Sequence, residues 1–167
     1  MESAIPCGWL FFMAKIVQDA AMILYENNID FRLLDKVTGG FLTALAIHAM
    51  DNFAEDEENE KEFGEEDYTS LCSYDFTAKN LSPEVVEKCT AILGDFRSNL
   101  SSEQKESIKE MEEDEQISLG FDIYNTLVRG IFCLDEEYEP IVKAMTAVNA
   151  MPCIGKDDNG AVRIFFK

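Results

Sequence analysis

The stretch "GGFLTALAIHAMDNF", residues 39–53, is apolar almost all the way round a helix. A helix without a polar face must be covered by other chain on most sides, so this one is expected to be the central, most buried element. It is expected to start near Thr38 or somewhat upstream. The Gly39–Gly40 pair suits either a helix start or a close crossing with a neighbour. The remaining segments are then read as what covers it.

Several segments show one apolar face. Residues 10–27 carry a helical stripe at Met13, Ile16, Val17, Ala20 and Leu24. "LSPEVVEKCTAILGDF" opens with Ser82 as an N-cap and Pro83 in the first turn, and its inner face is Val85, Val86, Cys89, Ile92, Leu93 and Phe96. "SSEQKESIKEMEEDEQ" opens on a serine cap, Ser101 or Ser102. Its large apolar residues are only Ile108 and Met111, so that helix is expected to be mostly exposed. A further stripe runs through Ile123, Tyr124, Leu127, Val128 and Ile131. A last helix follows over "DEEYEPIVKAMTAVNAM", with Tyr138, Ile141, Val142, Met145 and Val148 facing inward. "DYTSLCSYDF", by its aromatic and β-branched content, reads as a short strand or an ordered loop. Pro152 stops the last helix. "KDDNG" between "PCI" and "AVRIFF" predicts a β-hairpin over about residues 152–167. With 167 residues and 47% hydrophobic content, the expectation is a mainly α protein. It would be a single-domain bundle of five or six helices spanning 1–167, with a small C-terminal β-hairpin.

The charge is the second constraint. The formal net charge is −19, and residues 55–115 hold twenty acids against six bases. Such a surface repels nucleic acid and anionic membranes and attracts basic partners. The densest part is residues 54–67, a solvated helix extension or a mobile segment with too little apolar content to pack. Its acids are Glu55, Asp56, Glu57, Glu58, Glu60, Glu62, Glu65, Glu66 and Asp67. A second acidic ridge recurs at helical spacing through Glu103, Glu106, Glu110 and Asp114, widened by Glu112, Glu113 and Glu115. Acids at the end of a helix oppose its dipole. Either that helix continues through "QISLGFDIYNTLVRGI" or the cost is tolerated for another reason. Glu136, Glu137 and Glu139, near the start of the last helix, need no such explanation.

Duplex DNA carries one charge per roughly 1.7 Å. Carboxylates on one helical ridge recur about every 5–6 Å, so adjacent ridges approach that density if the second ridge folds beside the first. Phe63, Tyr68 and Tyr74, interleaved with the acids, are expected as interface anchors.

Other chemistries are weaker. His48 is the only histidine. It reads as a core or boundary residue with one satisfied hydrogen bond, and as a catalytic base it would want Asp51, three residues on, to orient it. There is no G-x-S-x-G elbow, no Walker spacing and no Glu-x-x-His pair. "DDNG" fails as a calcium loop, because Gly155 and Phe166 would fall at ligand positions that need oxygen. No metal or cofactor is expected. Cys7, Cys72, Cys89, Cys133 and Cys153 are scattered and odd in number, which argues against a disulfide framework and a zinc site. Cys89 and Cys133 are expected as buried thiols on helical faces, in a reducing, cytoplasmic setting. "MESAIPCGWLFFMAK" lacks a basic start and is broken by Pro6 and Gly8, so neither a secretion signal nor a membrane span is expected there. "GWLFFM" reads as a core-docking segment, with a membrane-touching patch as the alternative.

The leading functional expectation is a non-enzymatic acidic protein. It would block the basic, nucleic-acid-facing or active surface of another protein, such as a nucleic-acid-binding protein or nuclease, as a DNA-mimic or immunity-type inhibitor. It would not bind nucleic acid or membrane itself. The alternatives are a small enzyme around His48 and nearby carboxylates, and a structural or regulatory helical module.

Overall fold

The structure, a computed structural model, describes residues 35–55, 57–72, 77–131, 133–145 and 150–167. The expected stripe over residues 10–27, the "GWLFFM" segment, Cys7, Asp56, Tyr74 and Val148 lie outside the described residues.

The apolar stretch is the central helix, α1 (Lys36–Ala54). It begins where Asp35 caps it, the carboxylate accepting from the Thr38 N–H at 3.1 Å. Phe41, Leu45 and Ala49 are fully buried. Two short helices follow, α2 (Glu58–Phe63) and α3 (Glu65–Cys72), and then a 3₁₀ turn at Ala78–Asn80. Next is α4 (Pro83–Ser98), opened by Ser82 as expected, with the Val85 N–H donating to its Oγ at 3.3 Å. The C-terminal end of α4 returns to the start of α1, where Arg97 donates to Asp35 at 2.7 Å and to the Thr38 hydroxyl at 3.0 Å.

Ser101, rather than Ser102, caps α5 (Ser102–Glu110), in a capping box with Gln104. None of its side chains is fully buried, though Ile108 and Met111 pack on the core. The helix does not continue through the acidic ridge. Met111 and Glu112 are extended, with ψ of 143° and 155°, and α6 (Glu113–Tyr124) starts afresh. Glu113, Asp114 and Glu115 therefore occupy the first turn of α6, where the helix dipole favours them, and not the last turn of α5, where it would not.

Lys36 pairs with Glu113, Gly40 meets Ile117 and His48 meets Tyr124, so α6 runs parallel to α1. The approach is backbone to backbone: a Cβ on Gly120 would lie 2.1 Å from the Val37 carbonyl oxygen. α6 ends in a π-helical turn at Asn125–Arg129, closed by Gly130. The expected stripe holds for Ile123, Tyr124 and Leu127, but the chain turns away after Gly130 and Ile131 is 48% exposed. The last helix is shorter than expected, α7 (Glu139–Ala144). Tyr138 and Val142 are buried, and Met145 already has extended backbone.

The hairpin forms as expected. β1 (Pro152–Lys156) pairs antiparallel with β2 (Val162–Phe166), in register from Pro152↔Phe166 to Lys156↔Val162. It is tied to the bundle. The Ser82 N–H donates to the Ile164 carbonyl at 2.9 Å, and the Asn52 and Asn80 amides donate to the Pro152 and Val162 carbonyls. Ile164 is fully buried. The described residues are mainly α with a C-terminal hairpin, and among them no helix is long and apolar enough to cross a membrane.

Candidate interaction surface

The acidic run folds. Phe63, the last residue of α2, is 5% exposed and sits edge-on to Phe53 of α1, with ring centroids 5.0 Å apart. Tyr68 of α3 lies against the same Phe53 ring at 5.6 Å. The Asn59 amide donates to the Phe53 carbonyl at 2.7 Å, and Lys156 of β1 lies over the Phe63 ring at 5.0 Å. The expectation that this run had too little apolar content to pack is therefore corrected: Phe63 and Tyr68, together with the buried Leu71 of α3, dock the two short helices on the core. The same contacts correct the role expected of Phe63 and Tyr68. Phe63 is a core residue and Tyr68 is half-buried, so both hold the fold. Tyr68 opens no strand either, since "DYTSLC" is helical.

The acids of this run gain from the break at Gly64, which provides two helix starts. Glu58 and Glu60 lie in the first turn of α2, and Glu65 opens α3 with Glu66 and Asp67. There the positive end of each helix dipole offsets their mutual repulsion. Glu55, Glu57, Glu58, Glu60, Glu62, Glu65 and Glu66 are all exposed.

The second ridge is exposed too, at Glu103, Glu106, Glu110, Glu113 and Asp114. Glu106 is paired with Lys109 at 2.6 Å and Glu113 with Lys36 at 3.4 Å. The structure does not bring the two acidic clusters together. Glu113 is tied to the first residue of α1, whereas Glu55 follows its last. At about 1.5 Å of rise per residue, those ends are about 27 Å apart. The expected single dense face is instead split between the two ends of α1, with Glu113 at one and Glu55 at the other.

His48 is half-buried, and its Nδ1 lies 2.9 Å from the hydroxyl of Tyr124, which is fully buried. His48 is thus the boundary histidine with a hydrogen-bond partner that the sequence leads one to expect, and the partner is Tyr124. The clue lay in the sequence: a tyrosine on a buried stripe usually finds a partner for its hydroxyl, and a histidine on a buried helix can supply one. Desolvation first, and then the Arg129 guanidinium, hold the imidazole below its ordinary value of 6.5, against a smaller opposite pull from Asp51. Tyr124 also stacks edge-on against Phe41 at 5.3 Å.

Cys89 is buried as expected, and desolvation pushes its thiol up to about 12. Cys133 is not buried. It lies after the π-helical turn, exposed, with its thiol donating to the Asp122 carboxylate at 3.1 Å. Compared with family models, curated proteins and solved structures, the chain matches none of them.

Proposed function

We propose that this chain is a non-enzymatic acidic binding protein that covers the basic, nucleic-acid-facing or active surface of another protein, in the manner of a DNA mimic or an immunity-type inhibitor. The observation that carries this reading is the docking of the acidic run through Phe63 and Tyr68 onto Phe53. A run that served only solubility needs no anchor. An anchored run presents its carboxylates with less ordering entropy to lose on binding, and complementary charge speeds encounter. Glu55, Glu57, Glu58, Glu60, Glu62, Glu65 and Glu66 form the primary surface of this reading. The pole at Glu110, Glu113 and Asp114 is a second, separate one.

The test is affinity capture on the immobilised protein with a salt step, followed by association rates of the purified partner against ionic strength. The expected partner is basic and loses its nucleic-acid binding or nuclease activity in the complex. Replacing Glu57, Glu58, Glu65 and Glu66 with Gln should slow association and flatten its salt dependence. A partner that binds the replaced protein at the same rate and with the same salt slope overturns the reading.

A further inference from the structure

Tyr124 is fully buried, and among the described residues His48 Nδ1 is the group that its hydroxyl reaches. A buried hydroxyl proton without an acceptor loses the hydrogen bond that water would give it and is disfavoured. The favoured arrangement therefore has the Tyr124 O–H donating to an unprotonated Nδ1, which places the imidazole hydrogen on Nε2. Adding a proton to Nδ1 reverses this bond. The imidazolium then donates to Tyr124 Oη, and the phenol proton is left buried without an acceptor among the described residues.

The position of this pair gives the reversal a consequence. His48 belongs to α1 and Tyr124 is the last residue of α6, immediately before the π-helical turn Asn125–Arg129. Nearer the start of the two helices, backbone contact at Gly40 and Gly120 holds them together. At the far end the His48–Tyr124 bond spans them. π-helical turns are rare and recur at functional sites. We propose that the His48–Tyr124 hydrogen bond is a proton-operated latch: neutral His48 holds the end of α6 against α1, and protonation releases Tyr124 and the turn that follows it.

The surrounding charges act in the same sense on balance. Arg129, from the turn itself, disfavours the imidazolium, and Asp51, on α1, opposes it more weakly. Cys89 of α4 acts on Tyr124 and is held protonated by burial. Of the other elements against α1, β1 carries Cys153, also raised by burial, and Lys156, which lies over Phe63, and α3 brings Tyr68 to Phe53.

Because His48 is the only histidine, its imidazole resonances are unambiguous. In the unaltered protein near pH 7.5, ¹⁵N shifts should show Nε2 protonated and Nδ1 bare, and titration should occur below 6.5. Tyr124→Phe, which removes the donor to Nδ1, should move the titration upward. Amide exchange across Asn125–Arg129, corrected for its intrinsic pH dependence, should accelerate as His48 titrates. It should stay flat in His48→Gln, whose side-chain oxygen accepts the phenol proton at every pH. The tautomer measurement needs no variant, so it decides even if Tyr124→Phe fails to fold. A hydrogen on Nδ1 in the neutral state, or the same acceleration in His48→Gln, overturns the latch.

Discussion

The backbone of Gly40 lies against the carbonyl of Ile117 so closely that a Cβ added to Gly40 would be 2.1 Å from that oxygen. The obstacle is backbone and cannot swing aside, so the parallel pair of α1 and α6 depends on a missing side chain. Gly40→Ala should destabilise the protein by about 1–3 kcal/mol, as overpacking of a close interface does. Gly120→Ala, facing the Val37 carbonyl, should behave alike, whereas Gly94→Ala, with open space at its Cβ, should not. Urea unfolding of the three variants checks this. Equal midpoints for Gly40→Ala and Gly94→Ala would contradict the close crossing.

The hairpin turn sets a second prediction. Gly160 has φ of 78°, and its N–H donates to the Asp157 carbonyl at 2.8 Å. A β-branched side chain resists that left-handed conformation, while asparagine tolerates it. Gly160→Val should lower the melting temperature by several degrees, a loss of about 1–3 kcal/mol, and Gly160→Asn should lower it less. Matching melting curves for both variants and the parent would argue against an ordered turn.

A pH dependence follows from the same turn. The Asp157 carboxylate accepts from Arg163 Nε at 2.6 Å and from the Ala161 and Asn159 N–H groups, each at 2.9 Å. The Arg163 hydrogen bond first, and then the Ala161 N–H, hold its carboxyl below the ordinary 3.8. A depressed carboxyl contributes stability above its unfolded value and loses it as pH falls through the folded one. The stability gap between the parent and Asp157→Asn should therefore be fully open above about pH 5 and close below pH 3.8. Chemical unfolding at a series of pH values measures it, and a gap that widens toward acid would refute the assignment.

The acidic run and its anchor should separate cleanly. Replacing Glu57, Glu58, Glu65 and Glu66 with Gln relieves repulsion but gives up favourable positions at two helix starts, so stability should change by no more than about 1 kcal/mol. Phe63→Ala removes a buried ring and should cost about 3–5 kcal/mol if the docked helices unfold with the core, or less if α2 and α3 detach alone. In either case amide protection over residues 58–72 should fall. Full protection there in Phe63→Ala would mean that the run needs no anchor. Glu106→Gln, Glu110→Gln and Asp114→Asn together should leave that segment untouched, because none of them is in it and the neighbouring Glu113 pairs with Lys36 at the other end of α1.

Local chemistry is legible in one dimension. The all-apolar stretch could only be a covered helix. Ser82 with Pro83, the Ser101 cap and the "KDDNG" turn each announce an element by interactions that reach three or four residues along the chain, and the structure has α1, α4, α5 and the hairpin there. Signals of that range cannot decide where a surface ends up. The break at Met111–Glu112 is capped locally, the Glu112 N–H donating to the Glu115 carboxylate at 3.0 Å, but where the acidic start of α6 then lies depends on α6 packing along α1. The docking of Phe63 and Tyr68 depends on Phe53, and the partner of His48 lies 76 residues away. So does the separation of the two acidic poles, because the long, buried helix that the apolar run specifies is the spacer that keeps them apart. Charge density along a sequence says how strongly residues repel, but only the packing of helices says which of them share a face.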